Sequence, residues 1–309
     1  MTPCPPLIVV AGATATGKTE LSIRLAESYL AEGRPAAIIS ADSRQVYRGL
    51  DIGTAKATAA DRARAPHRGL DLVDPDQAFS VADFAGHARG VLSEFAERDG
   101  VAILAGGTGL YLRAVATGLD TDALPNDPAL RARIEAELET GGLEPLVARL
   151  RELAPAAAAR VDLRNPRRVV RALEIAELAG DAPRPEPQGY PAPVAWIGLS
   201  VPAATHTGWI VHRARAQFDA GLVDEAAALR ERYDPDLPAF SAIGYREAWA
   251  VIDGSATREE AIELDARRNV AFAKRQRTWF RSERAIRWLD PAYGDPLAPA
   301  LALARTATD

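Results

Sequence analysis

The apolar residues of the chain occur in short continuous runs that alternate with longer amphipathic segments. Three runs, Leu7 to Ala11, Ala36 to Ser40 and Val101 to Ala105, are short and almost wholly apolar, which is typical of buried strands. The segments Lys18 to Glu32 and Val81 to Arg98, which lie between these runs, have helical character. Strands that alternate with helices predict a parallel sheet covered by helices on both faces.

The pattern changes in the middle of the chain, where helices are predicted and no strand is. Asp127-Pro128 and Asn165-Pro166 each place a capping side chain before a proline, the arrangement that opens a helix, and Leu143 to Leu153 predicts another. A proline-rich linker, residues 183–193, follows.

A strand, Val194 to Val201, follows the linker, and the remainder of the chain is predicted to be helical up to a mobile tail. The simplest architecture is an α/β core, residues 1–116 and 194–309, interrupted by a helical insertion, residues 117–193. A chain of 309 residues is long enough for this arrangement.

Composition excludes several classes of protein. The longest apolar runs are far too short to span a bilayer, and the N-terminus enters a strand without a secretory signal. A single cysteine, Cys4, cannot form an internal disulfide, and four scattered histidines do not predict a zinc site. We therefore expect a cytoplasmic monomer with no membrane partner.

The charge distribution is uneven. The net charge of −5 argues against nucleic-acid binding, but the stretch from Arg160 to Arg171 has five arginines against one acid, and the stretch from Arg267 to Arg287 has eight basic residues against one acid. Each stretch is either a solvated helix face or a local surface for phosphates. Two such stretches in one acidic chain favour the second interpretation.

A phosphate-binding loop follows the first predicted strand and precedes the first helix, which is the context that this motif requires. Its residues are Gly12, Ala13, Thr14, Ala15, Thr16, Gly17, Lys18 and Thr19. Backbone N–H groups and the helix N-terminus attract phosphate oxygens, Lys18 would reach the outer phosphate, and the Thr19 hydroxyl would bind Mg²⁺.

The loop alone leaves three classes open: a kinase that uses ATP, a nucleotide switch, and a transferase whose leaving group is pyrophosphate. No guanine-specific motif supports a switch. Asp42 follows the second strand, and because parallel strands share one carboxyl edge, it is expected to face the loop across the crevice. A carboxylate there is either a proton acceptor or a helix cap or metal ligand.

Ordered motifs continue along most of the chain. The clearest run is Ser40-Ala-Asp-Ser-Arg-Gln-Val-Tyr-Arg-Gly-Leu-Asp-Ile-Gly-Thr-Ala-Lys56, followed by Ala65-Pro-His67 and Asp71-Leu-Val-Asp-Pro75. Later motifs are Gly106-Gly-Thr-Gly-Leu-Tyr111, Asn165-Pro-Arg-Arg-Val-Val-Arg-Ala-Leu-Glu174, Ile243-Gly-Tyr-Arg-Glu247, Lys274-Arg-Gln276 and Thr278-Trp-Phe-Arg281. Together they closely resemble the tRNA dimethylallyltransferases, also called tRNA isopentenyltransferases. The bacterial type is implied, because the chain lacks the C-terminal zinc finger of most eukaryotic members.

The resemblance implies a P-loop nucleoside-triphosphate-hydrolase-like sheet whose loop binds the pyrophosphate of dimethylallyl pyrophosphate, with Mg²⁺ as cofactor. It implies that Asp42 is the general base for the adenine amine and that Thr108 lines the reaction channel, with Lys18 assisting catalysis. The implied tRNA contacts are Asp42, Ser43, Arg44, Gln45, Thr108, Arg131, Arg167, Arg168, Arg171, Gly244, Tyr245, Arg246, Lys274, Arg275 and Gln276. Arg213 matches a pyrophosphate or tRNA contact of the family, whereas Trp209 stands where a second arginine is expected.

The expected reaction is therefore prenylation of the adenosine 3′ to the anticodon in tRNA, on its N6 amine. The insertion and the Arg267 to Arg287 helix would hold the anticodon stem-loop from two sides. The alternative is a small-molecule or nucleotide kinase that uses ATP, and a further possibility is an RNA-binding protein with an inactive loop.

Overall fold

The computed structural model of the protein describes residues 4–121, 123–181 and 186–309. The chain forms two compact units, of which one comprises Met1–Gly118 with Gly189–Asp309 and the other comprises Leu119–Gln188. No helix in the described part of the chain is both long enough and apolar enough to cross a membrane.

The first unit is built on a parallel sheet of six strands in the order β3-β2-β4-β1-β5-β6. The strands are β1 Leu7–Gly12, β2 Ala36–Ser40, β3 His67–Arg68, β4 Val101–Gly106, β5 Val194–Leu199 and β6 Arg287–Leu289. Every residue of β1, β2 and β4 is buried, which explains why these strands are almost wholly apolar rather than alternating. The doubly covered parallel sheet predicted from the sequence is confirmed.

Helices cover both faces of this sheet. They are α1 Lys18–Ala31, α2 Ala59–Arg64, α3 Val81–Ala96, α4 Gly109–Ala116, α9 Ala203–Asp219, α10 Leu222–Arg230, α11 Tyr245–Ile252, α12 Arg258–Phe280 and α13 Leu297–Thr308, with a 3₁₀ turn at Pro238–Ser241. Separate clusters of buried side chains form on the two faces, with Val9 and Leu104 in one and Ile8 and Ile103 in the other. Successive strand residues thus contribute to opposite cores.

Three features of this unit differ from the sequence prediction. The edge strands β3 and β6 were not predicted, and α12 ends at Phe280, so that Arg287 lies in β6 rather than in a continuous helix. The expected mobile tail is instead the helix α13, because Ala300 and Ala304 are fully buried against the sheet. Small side chains let this helix approach β5 closely.

The second unit is wholly helical in its described residues. It contains α5 Pro128–Gly141, α6 Leu143–Leu153, α7 Pro155–Arg160 and α8 Pro166–Ala179. The caps have the predicted chemistry, since Asp127 accepts from the amides of Ala129 and Leu130, and Asn165 accepts from the amide of Arg168. Pro183 and Pro185 of the expected linker lie outside the described residues.

Candidate active site

The loop between β1 and α1 carries the residues of the phosphate motif. The Lys18 ammonium donates to the Ala13 carbonyl at 2.6 Å, and the buried Thr16 hydroxyl donates to the same oxygen at 2.9 Å. The Thr19 hydroxyl has no hydrogen-bond partner within the described chain, and Thr19 lines a cavity beside the loop. The loop thus forms a closed turn that presents Lys18 and Thr19 at the N-terminus of a helix.

A second cation reaches this loop from α9. The Arg213 guanidinium donates to the Thr14 hydroxyl at 2.6 Å, and Arg213 lines the same cavity. Burial and the neighbouring Arg213 lower the pKa of Lys18 to about 8, while Asp42 acts in the opposite direction. Burial also lowers the pKa of Arg213, and Asp42 and Asp265 oppose that change. Two buried cations beside one loop, each with its pKa lowered by burial, favour an anionic ligand.

Asp42 lies just beyond β2 and faces these cations. One of its carboxylate oxygens accepts from the Arg44 amide at 2.8 Å, which closes a local turn, and the other has no partner within the described chain. The Thr108 hydroxyl, just beyond β4, accepts from the Ser43 amide at 3.1 Å. The carboxyl ends of β1, β2 and β4 therefore bring the loop, Asp42 and Thr108 together, as parallel pairing requires.

Two cavities meet at this edge of the sheet. The first is lined by the phosphate-loop residues Lys18 and Thr19, and the second is lined by Thr108 and Arg275. The second has a volume of about 380 Å³, which is within the size range of small-ligand sites. The residues that line both cavities are Thr14, Asp42, Thr54, Arg213 and Phe272. The cavity beside the phosphate loop and the second cavity thus share a boundary that contains one carboxylate and one arginine.

The glycines of the Gly106-Gly107-Thr108-Gly109 segment allow α12 to approach this boundary. A Cβ atom on Gly107 would lie 2.3 Å from the Gln276 amide nitrogen, and one on Gly109 would lie 2.2 Å from the Trp279 ring. Gln276 also accepts from the Thr14 amide at 2.8 Å and donates to the Gly107 carbonyl at 3.1 Å. Glycine is required at these positions because any side chain would clash with α12. Through Gln276, α12 connects the phosphate loop to the segment that follows β4.

Several predicted RNA contacts face into the protein. The Tyr245 side chain is fully buried, and its hydroxyl donates to Glu225 at 2.8 Å. The Gln276 side chain accepts a hydrogen bond from the Thr14 amide of the phosphate loop, and the Gln45 side chain donates to the carbonyls of Thr54 and Ala55. Each of these three side chains therefore has a hydrogen-bond partner inside the molecule, and its contact with RNA stays a prediction.

The other predicted contacts of the first unit are accessible, with the exception of the buried Gly244. Ser43, Arg44, Thr108 and Arg275 line the second cavity. Arg44 donates to the Pro238 carbonyl at 2.9 Å, whereas Arg246 and Lys274 are exposed and form no ion pair within the described chain. Gly244 contributes backbone only, at a φ of 112° before α11.

The four arginines of the helical unit that were predicted to contact RNA fall into two pairs. Arg131 and Arg171 both bind the fully buried carboxylate of Glu174, at 2.9 and 2.7 Å. That carboxylate also accepts from the Asp127 amide, so the cluster joins α5 to α8. Arg167 and Arg168 are exposed and have no ion-pair partner in the described residues. Only the second pair has guanidinium groups that are free of carboxylates.

Sequence analysis missed several residues that form this site. His206 is buried against the phosphate loop, and Phe272 is an exposed aromatic ring at the cavity boundary. Glu225 accepts from the three successive amides of residues 51–53, and Gln217 donates to the carbonyls of Ile52 and Gly53. The only sequence signal for the last two was their spacing on amphipathic helices.

Comparison with known proteins agrees with this geometry. The family model described as IPP transferase matches residues 45–283. A tRNA dimethylallyltransferase of Roseiflexus sp. (strain RS-1) is 44% identical over 281 residues, covering 89% of this chain and 90% of the relative. One from Anaeromyxobacter dehalogenans (strain 2CP-C) is 44% identical over 299 residues, covering 95% and 97%.

The fold is also shared with a solved structure, the full-length tRNA isopentenylpyrophosphate transferase of Bacillus halodurans. That protein is 36% identical, superposes with a TM-score of 0.70, and the match covers 97% of this chain and 95% of the other. The likeness extends over both compact units. This chain belongs to the IPP transferase family.

Proposed function

We propose that this protein transfers a dimethylallyl group from dimethylallyl pyrophosphate to the N6 amine of the adenosine 3′-adjacent to the anticodon of tRNA. The observation that carries the proposal is a single boundary between two cavities, where a carboxylate, Asp42, faces the phosphate loop and two cations, Lys18 and Arg213. The names of the relatives indicate the same chemistry.

The phosphate loop would hold the leaving group. As the bond between the allylic carbon and its oxygen breaks, the electron pair stays on pyrophosphate, and the negative charge on that oxygen grows. Lys18, Arg213 and the loop amides are already in position, so they stabilise this charge without rearranging.

Mg²⁺ is the cofactor that we propose for the same pyrophosphate. The residues fit, because the Thr19 hydroxyl is unpartnered in the described chain and lines the phosphate cavity, and Mg²⁺ commonly binds few protein ligands together with substrate phosphates. When bound, the metal adds positive charge at the leaving group.

Asp42 would accept the proton from the N6 amine. The amine forms its bond to carbon while it loses a proton, and the free carboxylate oxygen of Asp42 borders both cavities. A base in this position contributes roughly 10²–10⁴-fold to the rate. Thr108 would line the acceptor side, where its hydroxyl orders the turn that contains Ser43.

The second cavity would receive the acceptor base. An adenine within the stacked anticodon loop must be flipped out to react, at a cost of a few kcal/mol. Phe272 offers a partly exposed aromatic face on which such a base can stack, with the Arg275 guanidinium 5.6 Å from its ring centre. Arg44 and Arg275 supply positive charge at this cavity.

Binding of the anticodon stem-loop would use five basic side chains that have no carboxylate partner in the described residues. These are Arg167 and Arg168 on the helical unit and Arg246, Lys274 and Arg275 on the first unit. Arg131 and Arg171 are neutralised in part by Glu174, so we propose that they support the surface and contribute less to phosphate binding. A reaction on tRNA fits a cytoplasmic enzyme.

The deciding experiment incubates the protein with Mg²⁺ and tRNA, together with either dimethylallyl pyrophosphate or ATP. We expect a prenylated nucleoside, detected by mass, with the first donor only. ATP turnover without prenylation would support the kinase alternative, which no comparison favours. Binding of tRNA that yields no product with either donor would indicate an RNA-binding protein instead.

A further inference from the structure

Helix α9 places three polar side chains on one face that packs against the active-site loops. His206 and Arg213 are seven residues apart, and Gln217 follows four residues later, so all three project from the same side of the helix. His206 and Arg213 contact the phosphate loop, and Gln217 contacts the loop at residues 52–53. This face of α9 therefore contacts both the phosphate loop and the loop at residues 52–53.

Thr14, in the phosphate loop, is held at all of its polar groups. Its amide donates to Gln276, its carbonyl lies 2.8 Å from the Nε2 atom of His206, and its hydroxyl accepts from Arg213. Two of these side chains come from α9 and one comes from α12. The position of Thr14 is thus set by contacts between distant segments and not by the loop alone.

His206 can make both of its contacts in only one protonation state. Nε2 faces a carbonyl oxygen, so it carries the hydrogen, and Nδ1 lies 3.2 Å from the Arg277 guanidinium, so it must accept. Burial lowers the pKa of His206, and Arg277 and Lys18 lower it further, against the opposing effect of the hydrogen bond to Thr14. The imidazole is therefore neutral at pH 7 and acts as a bridge.

Arg277 is half-buried on α12, and it resembles Arg44 and Arg213 of the first unit in having no carboxylate partner in the described residues. No carboxylate lies within ion-pair distance of it in the described chain, and its one side-chain contact is the neutral imidazole of His206. Its remaining N–H groups stay available for an anion. On α9, Trp209 occupies the position at which the family resemblance predicts a second arginine.

We propose that His206 is a positioning residue for the donor site, which fixes Thr14 and holds Arg277 beside the phosphate loop as a further cation for pyrophosphate. This inference rests on the proposed function, because it assumes that the donor's anionic end is a pyrophosphate.

Paired variants of His206 test the bridge. In His206→Gln, the amide nitrogen and oxygen can reproduce the donor and the acceptor, whereas His206→Phe fills the space without polar atoms. We expect the affinity for inorganic pyrophosphate with Mg²⁺, measured by titration calorimetry, to fall about 10-fold in His206→Phe and to stay within about 3-fold in His206→Gln. A Gln variant as weak as the Phe variant, or a Phe variant with wild-type affinity, would overturn the positioning role.

Arg277→Gln tests the ligand directly, with Arg258→Gln as a matched loss of charge on the same helix. Arg258 pairs with Asp219 on the surface, so its replacement should leave pyrophosphate affinity unchanged. We expect Arg277→Gln to weaken pyrophosphate about 10-fold and to raise the KM for the prenyl donor but not the KM for tRNA. Wild-type affinity in Arg277→Gln would overturn the inference. Titration with inorganic pyrophosphate decides this even if no prenylated tRNA is formed, which separates the inference from the proposed function.

Discussion

Replacing Asp42 by Asn separates proton transfer from every other role of this side chain. The oxygen that accepts from the Arg44 amide at 2.8 Å can be reproduced by the amide oxygen of Asn, so the turn is kept. The substitution removes only the basicity and the charge of the group that borders both cavities. We expect the rate of prenyl transfer to fall roughly 10²–10⁴-fold, the usual contribution of a positioned base.

The same substitution should affect pyrophosphate in the opposite direction. Lys18 and Arg213 both face the Asp42 carboxylate, which partly neutralises them in the unliganded protein. Without that carboxylate, pyrophosphate affinity should rise roughly 2- to 5-fold, the size of one partly solvated charge pair. Affinity for tRNA should change little, since the free carboxylate makes no stabilising contact with phosphate.

The assay is single-turnover prenylation with enzyme in excess, quantified by nucleoside mass, together with calorimetric titration of pyrophosphate and filter binding of tRNA. Asp99→Asn, a change at an exposed carboxylate in the loop after α3, serves as the control and should behave as wild type. A rate within about 10-fold of wild type would refute the role of Asp42 as base. A collapse of tRNA binding would instead identify Asp42 as an RNA contact.

Other variants test the surrounding structure. In Gly53→Ala, the new Cβ would lie 2.6 Å from the buried Tyr245 ring. We expect this overpacking to lower the free energy of unfolding, measured by urea denaturation, by about 1–3 kcal/mol, and an unchanged value would contradict the contact. Burial raises the pKa of Asp265 to about 6, so its stabilising contribution is present in acid and is lost as pH rises through that value. Measured relative to Asp265→Asn, which shares every other carboxylate, the unfolding free energy of the wild-type protein should fall by about 3 kcal/mol between about pH 4 and 6; a constant difference would contradict the raised pKa. Arg168→Ala should flatten the salt dependence of tRNA affinity by somewhat under one unit, whereas the paired Arg258→Ala should leave the slope unchanged; equal slopes would mean that the stretch is a solvated face.

The parts of the fold that could be predicted from the sequence carry their information locally. The apolar runs of β1, β2 and β4 predict buried parallel strands, and the Asp-Pro and Asn-Pro pairs predict the starts of α5 and α8, because a cap is a contact between neighbouring residues. The phosphate loop and Asp42 were also predictable, since strand ends in a parallel sheet share one edge.

Elements that depend on distant partners were not predicted. The strand β3 has two residues and β6 has three, so each exists only because β2 or β5 offers unpaired backbone groups beside it. The terminal helix α13 differs from a mobile tail only in its buried face, which the sheet supplies. Short edge strands have too few residues to show a periodic pattern.

The same distinction applies within the active site. The chain alone predicts that the phosphate loop and the Asp42 carboxylate face each other, since this follows from strand order and motif spacing. Packing between distant segments, in contrast, is the reason that Tyr245 and Gln276 face inward and that Glu174 binds two arginines. It also brings His206 into contact with Thr14, 192 positions away in the sequence. Contacts of that range arise when whole helices pack on the sheet. An amphipathic pattern indicates which side of a helix faces the core, but which polar side chains of distant helices meet there depends on the neighbours that the fold provides.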